Sequence, residues 1–255
     1  MRNKRRWRFA LAMVALLVAA FLIYAEDYYR ADETAKAALM SDDAVRVTRT
    51  AYGWLFDGPS EDCALVFYTG AKVEETAYAP LLHRLAREGV DACLVKMPLR
   101  LAFLAANRAS EVMKCHDYAH WYVGGHSLGG LCAADYAAAH PDTVDGVVLC
   151  AAYPMKPLGS EQTEILLYGS EDRVLNRERL DSGRRYAPPQ LIERVIEGGN
   201  HAQFGCYGPQ RRDGTAAISS ETQQEEAVRI IVEGLNAGRP VEPDRKLPDE
   251  QEEEK

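Results

Sequence analysis

The sequence lacks the features that would indicate a metal site, a repeat architecture or a nucleic-acid partner. No two of its six cysteines stand at the spacing of zinc ligands, and the chain shows no internal repeat. It also has no stripe of Lys and Arg with interleaved aromatic residues, and its net charge is −8. Because an acidic surface repels phosphate groups, nucleic acid is not expected as a partner. No metal ion and no organic cofactor are predicted.

A single long apolar run is present, and it lies at the N-terminus. Residues 9–24 contain no charged or strongly polar side chain, and five of the first eight residues are Arg or Lys. Without those five charges, the remainder of the chain carries −13. The run is short for a membrane span and long for a signal-peptide core, and no clean Ala-x-Ala cleavage site follows it. We therefore prefer an uncleaved membrane anchor over residues 1–25 to a cleaved signal segment.

The basic flank predicts which side of the membrane the domain occupies. Positive charges tend to stay in the cytoplasm, which places the domain on the extracytoplasmic side, or secreted if the segment is cleaved. Disulfides are permitted there, but Cys93, Cys132 and Cys150 fall in predicted buried elements, where cysteine behaves as a small hydrophobe. We expect no disulfide framework. Three cysteines remain open to pairing: Cys63, Cys115 and Cys206.

Strand-like and helix-like segments alternate along the central part of the chain. Apolar strand signals lie at 44–50, 52–56, 64–69, 91–96, 121–125, 144–151, 164–168 and 191–196. Helical patterns lie at 78–88, 102–114, 128–139 and 220–235. In the last of these, Ser220 and Gln223 are spaced as a capping box. The alternation predicts an α/β fold with a mostly parallel central sheet, helices on both faces and antiparallel strands at one edge.

These patterns divide the chain into four parts. A polar stalk is predicted at 26–43, between the anchor and a single α/β domain at 44–236. The remaining segment, 237–255, is charged, contains proline and lacks an apolar face, so we expect it to be disordered.

A glycine-rich turn follows the predicted strand at 121–125 and precedes the predicted helix at 128–139. Its sequence around Ser127 fits G-x-S-x-G, with Gly125 and Gly129 flanking the serine at two residues' distance. A sharp strand-to-helix turn projects the serine hydroxyl from the sheet, and glycines relieve the crowding that this turn causes. The following helix begins at Leu128, so its free amides face a developing oxyanion. The alternative is a tightly packed structural turn.

Two further polar segments follow later strands of the predicted sheet. Asp172 comes just after the strand at 164–168, with Glu171 as the competing carboxylate, and His201 follows a glycine pair after the last strand. The carboxyl ends of parallel strands meet at one edge of an open sheet, so these side chains are predicted to converge with Ser127. The predicted triad is Ser127 as nucleophile, His201 as base and Asp172 orienting the base.

The chain order Ser, Asp, His and the G-x-S-x-G turn resemble the α/β-hydrolase superfamily over about residues 45–236, near its dienelactone-hydrolase-like branch. Ser127 stands where dienelactone hydrolases carry cysteine, and Thr69 replaces the usual His before Gly70. The resemblance implies an oxyanion hole formed by the backbone N–H groups of Ala71 and Leu128. It also implies that no large cap domain is present, since only 153–163 separates the strands where relatives insert a lid.

These features predict a hydrolase that cleaves a carboxylic ester of a small-molecule acyl substrate. A thioesterase, acyltransferase or peptidase with the same triad is the alternative, and a non-catalytic anchored binding protein is a further one. The apolar segment after the strand at 91–96 suggests an acyl pocket lined by Met97, Leu99 and Phe103, although ordinary helix–sheet core packing is the stronger explanation for any one of them. The oligomeric state is left open.

Overall fold

The computed structural model describes residues 2–60 and 62–238, and these form one sheet of eight strands. In chain order the strands are β1 (Arg46–Arg49), β2 (Gly53–Asp57), β3 (Cys63–Tyr68), β4 (Asp91–Val95), β5 (His120–His126), β6 (Gly146–Cys150), β7 (Thr163–Gly169) and β8 (Gln190–Ile196). Their spatial order is β1-β2-β4-β3-β5-β6-β7-β8. The β1–β2 and β2–β4 pairs are antiparallel and the others parallel, which confirms the predicted sheet.

Helices cover both faces of this sheet. The α-helices of the described residues are α1 (Arg2–Glu26), α2 (Glu33–Ala37), α3 (Ala79–Arg87), α4 (Arg108–Met113), α5 (Leu128–Ala139), α6 (Arg177–Gly183) and α7 (Ser220–Gly238). Alternate side chains of a strand point to opposite faces, so Leu65 and Phe67 of β3 pack with α2, α3 and α7. Val66 and Tyr68 pack with α4, α5 and α6 on the other face. The predicted helical layers are confirmed.

The connection between β6 and β7 is short. It runs from Ala151 to Gln162 and contains no helix in the described chain. No large cap domain is inserted there, as the resemblance implied, so the carboxyl ends of the strands are not covered by an inserted domain.

The N-terminal helix α1 projects from the rest of the protein. Its segment Arg6–Glu26 has the length and apolar composition of a membrane-spanning helix or a signal sequence, and almost all of it is exposed. At the other end of the chain, α7 extends to Gly238, into the predicted tail. The rest of the tail lies outside the described residues.

The segment predicted as a stalk packs against the domain. Asp32 caps α2 by accepting a hydrogen bond from the amide of Ala35 at 2.9 Å, and its own amide donates to the carbonyl oxygen of Cys206 at 3.0 Å. Ala35 and Val45 are buried in the core on that face of the sheet. The segment between α1 and the sheet is therefore packed against the domain.

The predicted continuous helix at 102–114 is wrong. The structure has a 3-10 turn at Ala102–Ala105 and then the short helix α4. The hydroxyl group of Tyr68 donates to the carbonyl oxygen of Ala106 at 2.7 Å and accepts from the amide of Ala109 at 2.9 Å. Because this phenol takes backbone groups that a continuous helix would pair internally, the helix is interrupted.

The buried carboxyl group of Glu164 in β7 should make the stability of the domain depend on pH. Its side chain is buried, and this burial, together with the nearby charge of Glu193, raises its pKa from 4.5 to about 8. A raised carboxyl pKa stabilises the fold below pH 4.5, and this contribution is lost as the pH rises through 8. We expect the free energy of unfolding of Glu164→Gln, measured with urea, to exceed that of wild type by about 1–3 kcal/mol at high pH. In acid the two values should match.

The matched control for this prediction is Glu161→Gln, which changes an exposed carboxylate just before β7. It should leave the pH dependence of the unfolding free energy as in wild type. If Glu164→Gln showed the same pH dependence as wild type, the raised pKa of Glu164 would be contradicted.

Candidate active site

Ser127 occupies the sharp turn between the end of β5 and the start of α5. Its φ of 53° and ψ of −122° are unfavourable for a residue with a side chain. Hydrogen bonds hold this turn: the Ser127 amide donates to the carbonyl oxygen of Cys150 at 2.9 Å, and the Leu131 amide donates to that of Ser127 at 3.1 Å. A strained serine held in this way has the geometry of a nucleophile elbow.

The start of α5 lies directly against the end of β3. A Cβ atom on Gly129 would lie 2.5 Å from the carbonyl oxygen of Thr69 and would overlap that of Tyr68. Only glycine permits this approach, which brings the first amides of α5 close to the turn after β3. Ala71 lies in that turn, and its amide forms no hydrogen bond within the described part of the chain. The two predicted oxyanion donors, Ala71 and Leu128, thus belong to adjacent segments.

Asp172 and His201 form a buried pair. The Nδ1 atom of His201 lies 2.8 Å from Oδ2 of Asp172. The other carboxylate oxygen, Oδ1, accepts hydrogen bonds from the amides of Val174 and Leu175, both at 2.8 Å. Burial alone would raise the pKa of Asp172, but the hydrogen bond and the charge interaction with His201, together with these two amides, lower it. The carboxylate is therefore ionised and has fixed acceptor directions.

The imidazole ring of His201 packs beside the residue that precedes the serine turn. Its Nε2 atom is buried and has no hydrogen-bond partner, and its ring centroid lies 4.5 Å from that of His126, the residue preceding Ser127. No hydrogen bond joins His201 to Ser127 in the described residues. The structure thus brings Asp172 and His201 together and sets His201 beside the elbow. Hydrogen bonds between a base and its nucleophile are often longer in the absence of substrate.

Two residues that sequence analysis did not assign to the site hold the histidine loop. The Gln223 side chain accepts from the Asn200 amide at 2.9 Å and donates to the Asn200 carbonyl oxygen at 2.8 Å. The Asp213 carboxylate accepts from the amides of His201 at 3.3 Å and Ala202 at 2.9 Å. The Gln223 side chain therefore bonds to the histidine loop and does not form the capping box predicted for α7. No sequence spacing links these residues to His201.

A third support lies beneath the turn after β3. The Tyr78 hydroxyl group accepts a hydrogen bond from the Gly70 amide at 3.1 Å and lies 2.8 Å from Nδ1 of His126. Burial, and then the neighbouring His201, lower the pKa of His126 well below its ordinary value, whereas burial raises that of Tyr78. The phenol is therefore protonated and donates to a neutral imidazole. This pair supports Gly70 where the sequence has Thr69 in place of the usual histidine.

The three residues predicted for an acyl pocket do not all line one cleft. Met97 is buried in the core. Met97 and Leu99 contribute to a cleft of about 510 Å³ near the end of α1, and Phe103 does not line it. Phe103 is instead 55 % exposed. The pocket stays a prediction for the first two residues, and Phe103 faces outward.

The carboxylates of the site are engaged within the protein. Asp172 and Asp213 accept the hydrogen bonds described above. Within residues 2–60 and 62–238, no group of three or more His, Cys, Asp or Glu side chains is placed to hold a metal ion. These carboxylates therefore position the histidine and its loop.

Solved structures from several different organisms have the same fold. A predicted CIB-like hydrolase from Thermoplasma acidophilum aligns with a TM-score of 0.55 at 17 % identity over 76 % of this chain and 99 % of its own. Est1E from Butyrivibrio proteoclasticus aligns with a TM-score of 0.52 at 14 % identity over 76 % of this chain and 100 % of its own. At such identities the likeness shows the fold.

A mammalian structure shares this fold as well. Alpha/beta hydrolase domain-containing protein 10 from mouse aligns with a TM-score of 0.52 at 10 % identity, over 76 % of this chain and 97 % of its own. No curated protein matches the sequence. The family model of the alpha/beta hydrolase family matches residues 64–225, which span β3 to the first part of α7. The chain therefore belongs to the alpha/beta hydrolase family.

Proposed function

We propose that this hydrolase cleaves carboxylic esters with Ser127 as nucleophile, His201 as general base and Asp172 as the group that orients the base. The observation that carries the proposal is the buried Asp172–His201 pair, at 2.8 Å. Its Nε2 has no partner among the described residues, and its imidazole packs 4.5 Å from that of His126, which precedes the strained Ser127. A binding protein needs neither a strained serine nor a buried imidazole without a partner, since both cost stability. Both features are useful to a nucleophile and its base.

The proposed reaction proceeds through an acyl-enzyme. His201 takes the proton from the Ser127 hydroxyl, and the serine oxygen attacks the ester carbonyl carbon. The amides of Ala71 and Leu128 stabilise the negative oxygen of the tetrahedral intermediate. His201 then passes its proton to the leaving alcohol. Water repeats these steps on the acyl-enzyme, so that one ester and one water give one acid and one alcohol.

The proposed location follows from the N-terminus. The helix α1 has the composition of a membrane span, and Arg and Lys residues precede its apolar part. Basic residues favour the cytoplasmic side of a membrane. We propose that α1 is an uncleaved anchor and that the hydrolase domain lies on the extracytoplasmic side.

A fluorophosphonate probe tests the proposed nucleophile, because it labels only an activated serine. The purified full chain in detergent should be labelled at Ser127, whereas Ser127→Ala should not be labelled. The control Ser182→Ala changes an exposed serine of α6 and should be labelled as wild type is. Wild type that has not been treated with the probe should hydrolyse p-nitrophenyl butyrate. A folded wild type that is neither labelled nor active would favour a non-catalytic binding protein.

A further inference from the structure

The polypeptide that leaves α1 is bonded to the turn that carries the proposed oxyanion donor. The Tyr29 amide donates to the carbonyl oxygen of Lys72 at 2.8 Å, and the Glu74 amide donates to that of Tyr29 at 2.9 Å. The Tyr29 ring also packs at 5.5 Å from the Tyr207 ring. Ala71 precedes Lys72 directly. The point at which the chain leaves the membrane helix is therefore fixed within a few residues of the proposed oxyanion hole.

A cleft joins the last turn of α1 to this turn. It has a volume of about 550 Å³, and Tyr24 of α1 lines one side while Ala71 lines another. The Nζ atom of Lys72 lies 3.9 Å from the centroid of the Tyr24 ring, over its face. A tyrosine at the end of a membrane span normally sits at the level of the lipid head groups. The cleft therefore opens at head-group level.

The positive charges around this cleft differ in their pairing. Lys72 pairs with Asp27 at 3.4 Å, and Arg100 pairs with Glu26 at 3.3 Å. Arg211 and Arg212 also line the cleft, are exposed, and have no carboxylate within ion-pair distance in the described chain. Two unpaired guanidinium groups favour an anionic group of phosphate geometry at the mouth of the cleft.

An exposed apolar segment follows the turn that contacts the same end of α1. The turn Pro98–Arg100 contacts the helix end through Arg100, whose guanidinium group reaches the Ala25 carbonyl oxygen at 3.5 Å. A few residues on, Phe103 is 55 % exposed and Leu104 is 45 % exposed. Exposed Phe and Leu side chains a few residues from a contact with a membrane helix suit burial at the boundary between head groups and acyl chains.

We propose that the mouth of the active site lies against the bilayer that holds α1 and takes its substrate from it, as an acyl ester of a lipid with an anionic head group. Arg211 and Arg212 bind the head group, and Phe103 and Leu104 rest in the bilayer surface. The acyl ester bond thereby reaches the side of the cleft formed by Ala71. This inference rests on the hydrolase function proposed above and on α1 as the anchor.

The test uses the full chain reconstituted into vesicles. One substrate is a fluorogenic acyl ester of phosphatidylglycerol within the vesicle, and the other is p-nitrophenyl butyrate in solution. Rates are normalised to the amount of protein that a fluorophosphonate labels from outside. For wild type, the phosphatidylglycerol ester should be hydrolysed faster than the matching phosphatidylcholine ester, each present as a trace component of phosphatidylcholine vesicles.

The variants remove the two proposed contacts. Arg211→Glu with Arg212→Glu should lower the preference for the phosphatidylglycerol ester over the phosphatidylcholine ester at least about tenfold, since each basic residue near anionic lipid changes binding by roughly fivefold. Leu104→Asp should lower the ratio of vesicle-ester to soluble-ester turnover by about tenfold or more, because a charged group replaces a leucine that rests in the bilayer surface in our proposal.

Matched controls make the same changes at residues that do not line the cleft. Arg46→Glu with Lys114→Glu changes two exposed basic residues, at the start of the edge strand β1 and just after α4, and Met40→Asp alters an exposed methionine. These controls should behave as wild type does.

The outcomes separate the two proposals. Hydrolysis of the soluble ester without hydrolysis of the vesicle ester would overturn the membrane inference and leave the hydrolase function standing. The membrane inference would also be overturned if the variants kept the head-group preference and the ratio of vesicle-ester to soluble-ester turnover of wild type. A wild type that is neither labelled nor active on either ester would overturn the hydrolase function and the inference with it.

Discussion

Replacing Asp172 by asparagine is expected to lower kcat for a soluble ester by about 10⁴-fold, because the variant holds His201 in the wrong tautomer. The amides of Val174 and Leu175 both donate to Oδ1 and will keep an acceptor oxygen in that place. The amide NH₂ of asparagine must then face Nδ1 of His201, where the carboxylate accepts in wild type. The imidazole consequently carries its proton on Nε2 and does not accept one from Ser127.

The neighbouring carboxylate provides the control for this prediction. Glu171 is half-buried and was the competing candidate by adjacency, so Glu171→Gln should leave kcat within about twofold. Steady-state kinetics with p-nitrophenyl butyrate measure both variants, and circular dichroism checks that both are folded. Activity of Asp172→Asn within tenfold of wild type would contradict the assigned role of Asp172.

Gly125→Ala is expected to destabilise the domain by about 4 kcal/mol or more, because the new methyl group has no room. The Cβ atom would overlap the carbonyl oxygen of Tyr68 and lie 2.8 Å from the carbonyl carbon of Gly129. Both atoms belong to the backbone, so the end of β3 and the start of α5 must move apart. A loss of this size lowers Tm by roughly 10 °C in a domain of about 200 residues, measured by calorimetry in detergent.

Gly208→Ala separates this steric effect from a general sensitivity to losing glycine. Gly208 has a φ of 79°, but a Cβ atom there would meet nothing within 4 Å. The expected loss of unfolding free energy is therefore about 1 kcal/mol, from the unfavourable backbone conformation alone. The steric explanation fails if Gly125→Ala unfolds at the same temperature as Gly208→Ala.

Much of the fold was predictable because its determinants are local. Continuous apolar runs such as β3 and β7 are typical of strands covered on both faces, and both were expected within a residue or two of their observed bounds. The segment at 102–114 shows where this reasoning fails. Its composition is helical, but the Tyr68 hydroxyl group, some 40 residues earlier, competes for its backbone groups. A local pattern contains no information about such a competitor.

The candidate site divides in the same way. The parallel order of the strands was enough to predict that the turns bearing Ser127, Asp172 and His201 share one edge of the sheet. The supporting contacts were not predictable, since Gln223 bonds to the backbone of Asn200 and Tyr78 bonds to His126 across long stretches of chain. An amide or phenol side chain accepts many partners, and sequence spacing does not select among them.

By itself, the sequence determined the α/β fold, the strained serine turn and the apolar N-terminal helix, because hydrophobic period and glycine placement act within a few residues. Tertiary structure alone decided that the exit from α1 is bonded to the turn of Ala71, and that Arg211 and Arg212 line the cleft between them. These groups lie far apart along the chain, and only the packing of the sheet sets their separation. Their position relative to α1 is thus a property of the folded domain.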